Sequence, residues 1–185
     1  LSDRHAEVRI AAYRAVGRAK LEVYLPRLVQ ALIARDEARA AADALQQLGP
    51  HAVQALVRAY KNRGAPRRLS LRIVHTLGGL PFAASVLALM EVLKDGDAEA
   101  RRLALRSLHR LRGRVSARAY VRQRFEEALQ REIRLGHLCT GLIEESKRTR
   151  LQPFFIDEVE RRLYGVGEAI FDLLGLLYDH KTMRT

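Results

Sequence analysis

One cysteine in 185 residues, Cys139, leaves no internal disulfide, and no Cys/His cluster has the spacing of a zinc site. Tryptophan is absent, prolines number only 5 and glycines 12, and with 48% apolar residues the chain is not disordered by composition. The longest apolar stretches, around 79–93 and 169–178, fall short of the roughly 18 residues that span a bilayer. The opening LSDRHAEVR lacks the apolar segment of a signal peptide. No initiator Met precedes it, and the chain stops at KTMRT just after a strongly helical segment, so the expectation is an excised soluble piece of a longer protein. Strand signals are missing too. No window alternates with period two over more than a few residues, and no Asn-Gly turn joins two strand-like runs.

What is present is apolar content, at 48% of the chain, arranged with helical period. The breakers fall at intervals suited to short helices: Gly49-Pro50, Gly64 to Pro66, Gly78 to Pro81, Asp95-Gly96-Asp97 and Gly113. The fold class is therefore all-α. The pattern also repeats. The quartet Leu25, Leu28, Val29, Leu32 recurs as Val53, Leu56, Val57, Tyr60 and as Val86, Leu89, Met90, Leu93, each an i, i+3, i+4, i+7 stripe. A differently textured helix precedes each stripe, over 7–18, 38–49 and 67–81, and a fourth lies at 99–113. Val16, Leu45, Val74 and Leu108 hold equivalent places in these helices. A period near 30 built from two helices predicts an α-solenoid of about four helix pairs over 1–115.

These units resemble HEAT repeats. The resemblance lies in an acidic turn followed by Arg, an Ala-rich first helix ending Leu-x-x-Leu-Gly, and a second helix with a regular apolar stripe. Asp36-Glu37-Ala38-Arg39 and Asp97-Ala98-Glu99-Ala100-Arg101 supply the turn, while Ala41, Ala42, Leu45, Leu48 and Gly49 supply the helix. It covers about residues 2–113. The third unit departs from it, with Gly64-Ala65-Pro66 in place of the acidic turn, so its cap must come from elsewhere. By the same resemblance, Arg39, Arg68 and Arg101 are expected to bond the acidic turn of a neighbouring unit, through Asp36 and Asp97.

Residues 116–185 read as a long helical hairpin capping the solenoid. One helix fits 116–148, although Gly136 and Gly141 each cost it roughly 1 kcal/mol relative to Ala. Pro153 suits a helix start, and Val159, Leu163, Val166, Ile170, Leu173 and Leu177 then form a seam in 4-3-4-3-4 spacing that requires a partner helix. The run Ile-Phe-x-Leu-Leu-x-Leu-Leu-Tyr at 170–178, following such an array, resembles bacterial proteins in which HEAT repeats follow an ATP/ADP translocase or major facilitator type membrane domain. That resemblance implies the cytoplasmic part of a larger membrane-associated protein.

The formal net charge of +12 is unevenly spread. Residues 100–124 hold nine arginines and no acid, whereas 125–185 hold 9 basic and 11 acidic side chains. Arg102, Arg106 and Arg110 repeat every four positions, and Arg114, Arg118 and Arg122 continue the spacing across the Gly113 turn. This block is a solvated face, or a site for phospholipid headgroups, an acidic protein surface or nucleic acid. Nucleic acid ranks last, because only Tyr120 and Phe125 are aromatic nearby and both fit the core stripe. A second candidate surface is a concave wall made by the second helices, offering Arg27, Gln30, Gln54, Arg58, Lys61, Glu91 and Lys94 to a protein partner or neighbouring domain.

Catalytic patterns are missing. There is no phosphate-binding loop, and the six histidines form no Glu-x-x-His or His-x-x-x-His pair for metal. Glu126-Glu127 and Glu144-Glu145 are adjacent on a helix, where neighbours point about 100° apart, so they read as solvated faces. Cys139 reads as a small core residue and Asp179-His180 as a pair near a helix end. DNA glycosylases built on stacked HEAT-like helices use groove aromatics and a catalytic Asp, whereas this chain has no Trp and no Asp in 98–156. The function expected is a non-catalytic binding or scaffolding module without cofactors, with nucleic-acid binding through 100–124 as the alternative.

Overall fold

The structure, a computed structural model, describes residues 3–62, 64–115, 118–149 and 153–178. Contacts divide the chain into two compact units, Leu1–Val115 and Ser116–Thr185. Among the described residues every regular element is helical.

The first unit contains α1 (Ala6–Arg18), α2 (Leu25–Ala31, entered through a single 3-10 turn), α3 (Ala38–Leu48), α4 (Pro50–Lys61), α5 (Arg67–Leu77), α6 (Ala83–Asp95) and α7 (Ala98–Leu111). Local chemistry sets several of the boundaries. Pro26 and Pro50 stand in the first turns of α2 and α4, where a missing N–H costs nothing. Gly49 separates α3 from α4 at φ +72°, a left-handed conformation that side chains disfavour. Asp97 caps α7 by accepting the Ala100 N–H at 2.9 Å. α5 starts without a side-chain cap; Pro66 precedes it, and Asn62 Oδ1 accepts the Gly64 N–H at 3.1 Å in the turn before.

From α1 to α6, each helix packs on its successor or on the next but one. The second helices α2, α4 and α6 stack in order, α1 lies on α3, and α5 lies on α7. α3 and α5 make no comparable contact, and α4 provides the link to α5 instead. The repeated stripes form the core. Leu28, Leu56 and Leu89 are fully buried, and Val16, Leu45, Val74 and Leu108 are buried on the first helices. Leu25, Val57 and Tyr60, at the edges of two quartets, are only half-buried.

The second unit is a pair of long helices, α8 (Arg118–Arg148) and α9 (Pro153–Leu177). They pack on each other along their length and run antiparallel, since Lys147 pairs with Glu160 at 3.8 Å while Gly136 faces Val166. Val159, Val166, Leu173 and Leu177 are buried in the α9 seam, with Leu163 and Ile170 half-buried. Phe125, Ala128 and Ile143 are buried on α8, and Cys139 is half-buried there. Gly136 and Gly141 do not interrupt α8. Asp179 and His180 lie outside the described residues.

Candidate anion-binding face

The residues that form α5 and α7 divide by helical period into an inner and an outer set. On α5, Leu69, Ile73, Val74, Thr76 and Leu77 are buried, leaving Arg68, Arg72 and His75 exposed on one stripe at i, i+4, i+7. On α7, Ala100, Ala104, Leu105, Ser107, Leu108 and Leu111 are buried, leaving Arg102, Arg106 and Arg110 exposed on one stripe.

Contacts at both ends fix the two helices side by side in parallel register. At the start, Arg67 Nε donates to Asp97 Oδ2 at 3.1 Å and Arg67 Nη2 to Glu99 Oε2. Toward the other end, Ser107 Oγ donates to the Val74 carbonyl at 3.3 Å, and Arg110 Nη2 sits 3.3 Å from His75 Nδ1 and 3.1 Å from Ser107 Oγ. Gly78 permits this closeness, because a Cβ there would come within 2.5 Å of Ser107 Cβ. The register sets Arg68 near the level of Arg102 and Arg72 near that of Arg106. The result is two adjacent basic rows rather than one.

The electrostatics follow the contacts. Partial desolvation of its ring pushes the His75 pKa below the usual histidine value, and the cationic Arg110 and Arg72 push it further the same way. The backbone N–H of Ala100, seconded by Arg67, holds the Asp97 carboxyl below its ordinary range. Arg68, Arg72, Arg102, Arg106 and Arg110 form no ion pair among the described residues.

The six-arginine path drawn from the sequence does not stay on one unit. Arg102, Arg106 and Arg110 lie on α7, and Arg114 is exposed just beyond it. Arg122 belongs to the second unit, on α8, where it pairs with Glu126 at 3.0 Å. Arg118 opens α8, and its side chain lies outside the described residues. The row beside Arg102–Arg110 is instead Arg68, Arg72 and His75. Its signal was in the sequence, in the same four-residue spacing, but about 30 positions upstream.

The expected acidic partners also need correction. Arg67, not Arg68, reaches the acidic turn before α7, because it lies about 100° round α5 from its neighbour and faces α7. At α1 the corresponding link joins Arg9 to Glu37 at 2.6 Å, and Tyr13 Oη donates to the same carboxylate at 2.8 Å, whereas Arg39 forms no ion pair among the described residues. Arg101 donates to the Gly96 carbonyl at 3.1 Å.

The second predicted surface is spread over stacked helices. Arg27 and Gln30 on α2, Gln54, Arg58 and Lys61 on α4, and Lys94 on α6 are all exposed, and Glu91 is half-buried. The run at 170–178 divides, with Leu173 and Leu177 in the seam and Phe171 and Tyr178 exposed. Among the described residues no helix is long and apolar enough to cross a membrane, and no group of three His, Cys, Asp or Glu side chains is placed to hold a metal ion. No family model and no curated protein sequence matches the chain.

Proposed function

We propose that this chain is a non-catalytic binding and scaffolding module, built as a HEAT-like α-solenoid, that takes an anionic partner on the α5/α7 face. The observation behind this reading is the set of five exposed guanidinium groups, Arg68, Arg72, Arg102, Arg106 and Arg110, in two adjacent rows with no ion pair among the described residues. Like charges at i, i+4 repel one another, so the fold concentrates a positive potential that an outside anion relieves. Neither α5 nor α7 carries a Phe, Tyr or Trp for base stacking. That favours an acidic protein surface, a neighbouring domain of the same chain or phospholipid headgroups over nucleic acid. The resemblance to transporter-linked HEAT proteins supports a place at the cytoplasmic face of a membrane, within a larger bacterial protein. The exposed polar side chains of α2, α4 and α6 are then available to a protein partner. Such a role works by shape and charge and uses no cofactor.

The test titrates the protein against anionic vesicles, neutral vesicles, polyglutamate and duplex DNA at two salt concentrations. A variant carrying Arg68→Gln, Arg72→Gln, Arg102→Gln and Arg106→Gln runs in parallel. Binding to anionic vesicles or polyglutamate that weakens with salt and disappears in the variant is the expected result. Tight DNA binding with a salt slope of roughly −0.9 per neutralised phosphate, lost in the variant, transfers the assignment to nucleic acid. Binding to none of the anions overturns it.

A further inference from the structure

We propose that Arg72, His75 and Arg110 form an oxyanion-binding subsite of the phosphate class at one end of the basic face. This deepens the anionic-partner reading and rests on it.

Contact and helical spacing set three nitrogen-bearing groups side by side on two helices. Arg72 and His75 are three residues apart on α5, a spacing at which helical side chains are neighbours. Arg110 reaches across from α7 to within 3.3 Å of His75 Nδ1. Ser107, bonded to the Val74 carbonyl, and the close approach at Gly78 hold the two helices in place beneath it.

A guanidinium carries donors only, so this contact is a hydrogen bond in the neutral imidazole whose proton is on Nε2, where Nδ1 accepts. The charged groups acting on His75 are Arg110 from α7 and Arg72 from its own helix. Among the described residues α4 and α6, also packed on α5, contribute none. Arg110 at 3.3 Å and the neighbouring Arg72 thus both act on a neutral imidazole, with no carboxylate paired to either among the described residues. An oxyanion between them replaces a weak charge-to-neutral contact with charge-assisted hydrogen bonds. It also reverses the field at His75, which protonates and turns Nδ1 from an acceptor into a third donor. Binding of the anion and uptake of a proton are thus linked, and affinity rises as pH falls.

Sulfate is the probe for the full chain, because its own charge does not change in the range where histidine titrates. The His75 ring is followed by NMR during sulfate titrations between about pH 5.5 and about pH 7.5. Expected are a saturable shift at His75, a His75 pKa raised by sulfate, and an affinity that falls several-fold toward the upper end of the range. Arg72→Gln and Arg110→Gln each weaken sulfate about tenfold or more, whereas His75→Gln retains binding and loses its pH dependence. All three positions are exposed, and unchanged melting temperatures confirm that the variants fold. Vesicles containing phosphatidic acid that move the His75 signal as sulfate does identify a lipid headgroup as the source. A response to inorganic phosphate without one to vesicles identifies a soluble phosphate.

A non-saturating shift, a pH-independent affinity or an Arg110→Gln protein that binds sulfate normally overturns the subsite. Arg68→Gln with Arg102→Gln, at the other end of the face, separates the two readings. If this variant still reduces vesicle or polyglutamate binding while the sulfate experiment fails, the face stands without the subsite. If polyanions do not bind at all, both fall.

Discussion

Leu28, Leu56 and Leu89 occupy the same place in three successive stripes and expose none of their surface. Truncating any one to Ala removes buried methylenes and leaves a cavity, so each variant is expected to lose about 2–5 kcal/mol in denaturant unfolding. A loss under 1 kcal/mol at all three would mean that the stripes are not core. Glu37 gives a second residue-scale expectation. Its carboxylate accepts from Arg9, the larger influence, and from Tyr13, and both hold its pKa below the usual 4.5. A carboxyl with a depressed folded pKa contributes stability that is present above the unfolded value and lost as pH falls through the folded one. Asp97 adds a similar contribution starting from 3.8. The stability of the wild-type protein is therefore expected to fall steadily below about pH 4.5, and Glu37→Gln, weaker at neutral pH, is expected to show a flatter acid limb in thermal melts. The same contact, after burial, pushes the Tyr13 phenol up to about 12, which a spectrophotometric alkaline titration reads directly.

Glycines mark the difference between an element that tolerates a side chain and one that does not. A Cβ at Gly141, two turns before the end of α8, meets nothing within 4 Å. Gly141→Ala is therefore expected to stabilise the protein by about 0.5–1 kcal/mol through lower unfolded-state entropy and better helix propensity. Gly78 is the opposite case, because its Cβ would collide with Ser107 on α7. Overpacking of this kind costs about 1–3 kcal/mol, and moving α5 away from α7 also breaks the Arg110–His75 contact. Denaturant unfolding of the two alanine variants is expected to give shifts of opposite sign. Equal signs would contradict the helix approach described for α5 and α7.

For the molecule as a whole, the second unit is held by one long seam. Removing 150–185 deletes α9 and uncovers Phe125, Ala128 and Ile143 on α8. The 1–149 fragment is expected to self-associate or precipitate and to melt at lower temperature, as seen by sedimentation and calorimetry. A monomeric fragment with an unchanged melting temperature would show that α8 does not depend on α9.

The all-α class and the repeated stripes followed from the sequence alone, because apolar period and breakers such as Gly49-Pro50 act within a few residues. Leu28, Leu56 and Leu89 could be named as core from spacing, and so could the α9 seam. Arg102, Arg106 and Arg110 were legible as a row for the same reason. Which row lies beside them was not. Continuing the count through Arg114, Arg118 and Arg122 assumed one continuous stripe, but the turn at Gly113 and the unit boundary intervene. Arg68, Arg72 and His75 come alongside only because α5 packs on α7, and nothing local to either helix states that contact. Likewise Arg67 and Arg9, rather than Arg68 and Arg39, reach the acidic turns, since partner choice depends on which flank of a helix faces the next. Period fixes the face a residue occupies on its own helix; the neighbour that face meets is set by packing between segments about 30 residues apart.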